Sequence, residues 1–144
     1  MYYGSGQNFV IIGLLLALPL VGCVAQKPTI DSGILMGTTG EYRGNCMPGP
    51  GIKPCEAFPV SLVIYISNPS REFDPNQVVD TVKSDLKGHF EVSIPPGTYS
   101  LFLDDNGSQV CPQMECTPEC ICLPITIYSD STTTINPNLD HAVW

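Results

Sequence analysis

Six cysteines set the tightest limit on how this chain can fold: Cys46, Cys55, Cys111, Cys116, Cys120 and Cys122. A seventh, Cys23, stands apart near the N-terminus. In an exported chain an even set of this density reads as a disulfide framework, and spacing alone does not choose the connectivity. Cys46 and Cys55 bracket a loop holding Pro48, Gly49, Pro50, Gly51 and Pro54, so a bridge between them is the pairing to expect first. It would clamp a segment with little core of its own, and in the chain-entropy model so small a loop contributes about 2–3 kcal/mol.

The export reading comes from the N-terminus. Phe9 to Gly22 is an apolar run. It is short for a membrane-spanning helix, which needs about 20 apolar residues, and it suits the apolar part of a signal peptide. The run ends in Leu20-Val21-Gly22-Cys23, which resembles a bacterial lipoprotein lipobox. That resemblance implies cleavage after residue 22, acylation of Cys23 (palmitate among its chains) and attachment of the mature part to a membrane. Simple secretory cleavage and a short anchor are the rival readings. Residues 1–22 carry no Lys or Arg, so the positive flank usual in a signal peptide is missing. One acyl chain anchors a protein only marginally, so firm retention needs more than one. Val24 follows Cys23, and inner-membrane retention by an aspartate is therefore not indicated. The expected location is the cell envelope, on the outer membrane facing the periplasm.

Residues 23–32 read as a spacer and 33–144 as one domain. All acidic and basic residues follow Gly22, so the net charge of −8 belongs to the mature part. That balance argues against a nucleic-acid partner, because phosphate binding relies on Lys and Arg. Envelope proteins or peptides are the expected partners beside the membrane itself. Fourteen prolines and thirteen glycines imply many turns, and no helical period follows Cys23. An all-β domain is expected.

Strands are expected over residues 34–39, 60–67, 78–84, 89–94, 99–103 and 123–129. A last one, over 132–143, is broken near Pro137. Residues 40–59 read as a loop. Phe90, Val92 and Ile94 alternate with His89, Glu91 and Ser93, the period of a half-buried strand. Tyr99, Leu101 and Leu103 repeat that spacing after the Pro95-Pro96-Gly97 turn, with Phe102 interrupting the polar face. Seven short strands with turns between them suggest a sandwich.

Thr81-Val82-Lys83-Ser84-Asp85, then Gly88-His89-Phe90, then Ile94-Pro95-Pro96-Gly97-Thr98-Tyr99 resemble the core signature of carboxypeptidase regulatory-like domains. The resemblance covers about residues 33–144. It implies a seven-stranded transthyretin-like (prealbumin-like) Greek-key sandwich that serves as a non-catalytic accessory module. The Asn45-Cys46-Met47-Pro48-Gly49 loop resembles one in small Bacteroidetes lipoproteins of this group. The cysteine-rich segment from Cys111 to Cys122 departs from the family pattern.

That segment has a second reading. Cys111, Cys116, Cys120 and Cys122 place four soft sulfur donors, with Met114, within twelve residues, which suits copper or zinc. Zinc sites more often show paired cysteines two to four residues apart, and an oxidising compartment favours disulfides. No C-x-x-C redox motif, nucleophile elbow, phosphate-binding glycine loop or EF-hand pattern is present. His89 reads as a solvated side chain and His141 as an unsupported ligand. No cofactor and no enzymatic activity are expected.

Overall fold

The computed structural model describes residues 31–144. The expected cleavage site, Cys23 and most of the spacer lie outside those residues. Among the described residues the structure is all-β, with one short 3-10 turn at Pro75–Gln77 and no α-helix.

Two long, bent ribbons frame one side. β1 (Gly33–Thr38) and β2 (Gly40–Asn45) follow one another across Thr39. β12 (Thr132–Ile135) and β13 (Asn138–Val143) follow one another across Asn136 and Pro137. β1 runs parallel to β12, with Ile34 opposite Thr132, and β2 runs parallel to β13, with Gly40 opposite Asn138. Segment 40–45 is therefore a strand rather than loop. Its Gly-Glu-Tyr-Arg-Gly-Asn sequence has little apolar content, and its strand character comes from the ladder to β13. Gly37 is needed there because a Cβ would collide with the Ile135 carbonyl across the parallel pair. β6 (His89–Ile94) completes one sheet beside β1, and β3 (Phe58–Pro59) flanks β2.

The facing sheet has the order β11 (Pro124–Ile127), β7 (Gly97–Asp105), β4 (Val63–Ser67), β5 (Val78–Lys83). β8 (Ser108–Val110) pairs with the far end of β7 through a tight turn at Asn106 and Gly107, both with positive φ. β11 is an edge strand, where its leading Pro124 is tolerated. β9 (Met114–Cys116) and β10 (Cys120–Cys122) form a separate hairpin. The seven-strand expectation undercounts: β2 and β3 lie in the segment read as loop, β8 turns back on β7, β9 and β10 form the cysteine hairpin, and the last expected strand is two, β12 and β13.

The core lies between the sheets. Leu35, Phe90 and Ile94 meet Ile64, Ile66, Leu101, Leu103, Ile125 and Ile127, all buried. The alternation in β6 is observed: Phe90 and Ile94 are buried, Val92 is half-buried, and His89, Glu91 and Ser93 are exposed. β7 is different. Residues 99–103 are all buried, because its outer face is covered too. Phe73, from the segment after β4, packs on Phe102 at 5.6 Å between ring centroids and on Tyr65 at 5.1 Å. That is why Phe102 breaks the polar pattern. Tyr99 donates its hydroxyl proton to the Pro95 carbonyl at 2.8 Å, closing the Pro-Pro-Gly turn.

The break at Thr39 is held by a hydroxyl relay. Leu62 N–H donates to Ser84 Oγ at 2.8 Å, Ser84 Oγ lies 2.6 Å from Thr39 Oγ1, and Thr39 donates to the Val60 carbonyl. Each hydroxyl has one proton, so this direction satisfies all three bonds. Next to it, Asp85 Oδ1 accepts from Lys87 N–H and His89 N–H. The His89 bond is the main cause that holds its carboxyl below the ordinary range. Gly88 takes φ +79°, and a Cβ there would strike the Thr39 carbonyl.

Phe90→Ala is expected to lower unfolding free energy by about 3–5 kcal/mol by leaving a cavity, read from denaturant melts. His89→Ala should change it by less than about 0.5 kcal/mol, as exposed positions do. Ser84→Ala removes one relay member and leaves the Leu62 N–H without its acceptor, so a loss of about 1–3 kcal/mol is expected in the same melts.

Candidate functional site

Every cysteine among the described residues is in a bridge. Cys46 pairs with Cys55, as the loop composition suggests, and Cys111 pairs with Cys122 and Cys116 with Cys120. The four thiols of the metal reading are thus two disulfides. The thiolate, not the disulfide, is the metal ligand, so coordination there would first require reduction. No group of three or more His, Cys, Asp or Glu side chains among the described residues has the arrangement of a metal site.

The densest electrostatic cluster lies elsewhere. Glu41 and Arg43 on β2 point the same way by strand alternation, and the parallel register sets His141 of β13 opposite Arg43. Glu41 is buried, with 7% of its surface exposed. One of its carboxylate oxygens pairs with Arg43, and the other lies 2.7 Å from His141 Nδ1. His141 Nε2 lies 2.8 Å from Asp105 at the end of β7. The cluster therefore ties β2, β13 and β7 together. Carboxylates only accept, so an imidazole held between two of them must donate from both nitrogens. This geometry favours the charged form of His141.

The shifts follow from the contacts. Arg43 and, after the opposing effect of burial, His141 hold the Glu41 carboxyl down at about 2. Asp105 first, then Glu41, raise His141 above its ordinary value. Glu41 in turn raises Arg43.

Sequence reasoning placed no role on this cluster. Glu41 and Arg43 fell in a segment read as loop, where a two-residue spacing has no meaning. His141, near the terminal Trp144, reads in sequence as an unsupported ligand, and its partners stand 36 and 100 residues away. The available signal was the opposite-charge pair at strand spacing, legible only once residues 40–45 are known to be a strand.

Chemically the cluster is a charge clamp. Its members neutralise one another, and among the described residues no Ser, Thr or Cys side chain is hydrogen-bonded to His141 as a nucleophile would be. The ring of His89 has no hydrogen-bond partner among the described residues. It faces an open groove of about 660 Å³ together with Leu86, Lys87 and Asn136.

No protein-family model matches the sequence, and no curated protein matches it. Among solved structures, the Bacillus anthracis TIE protein aligns over 76% of this chain and 16% of its own, at 13% identity and a TM-score of 0.42. GBS52, the minor pilin of Streptococcus agalactiae, aligns over 76% of this chain and 44% of its own, at 15% identity and a TM-score of 0.42. The chain spans less than half the length of either.

The clamp has a pH signature with two opposite limbs. Glu41 contributes stability above its unfolded value of 4.5, and this is lost as pH falls through about 2. His141 contributes fully below its unfolded value of 6.5, and its share disappears as pH rises through its raised folded value. In a thermal-midpoint series, the difference between the native protein and His141→Gln should be largest between those two unfolded values and shrink on the alkaline side. A difference that grows with alkaline pH would contradict the clamp.

Proposed function

We propose that the protein is a non-enzymatic, lipid-anchored module of the cell envelope, whose β-sandwich serves as an accessory or binding surface. The observation that carries this reading is the complete pairing of six cysteines with Cys23 left over. Bridges of this number belong to an oxidising compartment. The one cysteine without a partner among the described residues ends the lipobox-like run.

The architecture is consistent with a recognition role. The functional groups of the domain are engaged in holding strands together, through the Thr39–Ser84 relay and the Glu41–His141 clamp. Three of the exposed large apolar side chains meet at one groove. Met47 and Ile52 of the Cys46–Cys55 loop line an open groove of about 510 Å³ with Trp144. Exposed apolar residues gathered in this way are a common mark of an interaction surface. Membership of the carboxypeptidase regulatory-like family remains part of this proposal. Its support is that Ser84, Gly88 and Tyr99 of the signature each have a structural task in the relay, the turn and the closure of the Pro-Pro-Gly corner.

The deciding experiment expresses the chain in a bacterium and measures the mature N-terminus. Mass spectrometry should find residues 1–22 removed and diacylglyceryl-modified Cys23 at the start. Cys23→Ser should move the protein from the membrane fraction to the soluble one. An intact N-terminus, or unmodified Cys23, would overturn the anchor.

A further inference from the structure

The three bridges sit in unlike surroundings. Cys46 is 8% exposed and Cys122 is fully buried, with its sulfur 3.0 Å from the Leu101 carbonyl oxygen. Each of those two bridges therefore has a member embedded in the domain. Cys116–Cys120 does not: Cys116 is exposed and Cys120 half-exposed, at the tip of the β9–β10 hairpin. All residues from Gln113 to Glu119 are exposed.

The tip is also structurally expendable. β9 and β10 pair with each other and join neither main sheet as a strand. The base of the hairpin is closed independently by Cys111–Cys122 and by the Leu123 N–H bond to the Gln113 carbonyl at 2.8 Å. Opening the tip exposes no core residue and leaves that closure intact.

We propose that Cys116–Cys120 is a reversible thiol–disulfide exchange site, addressed by an extracytoplasmic dithiol protein, while the other two bridges are permanent staples. A thiolate of the dithiol donor attacks Sγ of Cys116, the more exposed of the two residues. The Cys116–Cys120 bond breaks and its electron pair leaves on Cys120, which takes up a proton. The donor's second thiolate then attacks the mixed disulfide, releasing Cys116 as a thiolate and leaving the donor oxidised. Two electrons pass from donor to hairpin, and the reverse sequence restores the bridge. Exposed disulfides are the labile class, since exchange depends on access to a sulfur.

The surroundings also select the attacker. Glu115 and Glu119 each adjoin a cysteine of this bridge in sequence. Their charges lie within about a Debye length, 8 Å at physiological salt, of an approaching thiolate. An anionic small thiol such as glutathione is disfavoured relative to a neutral one, which leaves a protein dithiol with a neutral or basic approach surface as the fitting partner.

The test uses the full chain, purified oxidised, so its outcome is independent of the lipid anchor. Under limiting dithiothreitol with alkylation and mass mapping, Cys116 and Cys120 should be modified first, about tenfold faster than any other pair. At that two-thiol stage the thermal midpoint and near-ultraviolet circular dichroism should be unchanged, and oxidant should restore the bridge. A Cys116→Ser/Cys120→Ser variant should fold and lack the fast phase. Per thiolate, glutathione should act more slowly than β-mercaptoethanol, and Glu115→Gln/Glu119→Gln should close that gap. Opening of either other bridge first, unfolding at the two-thiol stage, or no gap between the two thiols would overturn the proposal.

Discussion

Everything in this domain hangs on the parallel pairing of its first and last described strands. β1 and β2 lie alongside β12 and β13 for almost their whole length. Such a pairing has no local turn to set its register, so it relies on fit. Small residues supply the fit, with Gly37 admitting the Ile135 carbonyl. The same register continues past the ladder, where Cys46 N–H donates to the Val143 carbonyl at 2.7 Å. It brings His141 to Arg43 and Glu41, and it positions the Cys46–Cys55 loop beside Trp144. Long-range closure of this kind costs loop entropy that only the finished core repays.

The covalent bridges are placed where the core is thin. Cys46–Cys55 clamps a Pro- and Gly-rich loop, and the other two fasten a hairpin outside both main sheets. By contrast β7, the most buried strand, is held by packing on both faces and by Tyr99 at its start. Apolar burial and disulfides divide the molecule between them. Of the two hairpin bridges, the inner one meets the core through the buried Cys122, while the outer one lies at the exposed tip.

Charge follows a similar division. A chain of net charge −8 buries one carboxylate, that of Glu41. It does so beside a guanidinium and an imidazolium, which offsets the desolvation that an unpaired buried charge would suffer. An Asp-His-Glu arrangement can suggest catalysis. Here both ring nitrogens are engaged by carboxylates, so the ring has no free lone pair with which to take a proton from a substrate.

The sequence by itself determined the local pieces. Alternation gave β6, the prolines and glycines placed the turns at 85–88, 95–97 and 104–107, and the even cysteine count implied complete pairing. These depend on neighbours in the chain, where side-chain period and φ preference act directly. Only the tertiary structure decided that residues 40–45 are a strand, that Phe102 is covered, and that His141 sits between Glu41 and Asp105. Each of those depends on a partner many residues away. For a weakly apolar strand, a second buried face or an ion pair across sheets, the stabilising energy resides in contacts the linear pattern does not encode.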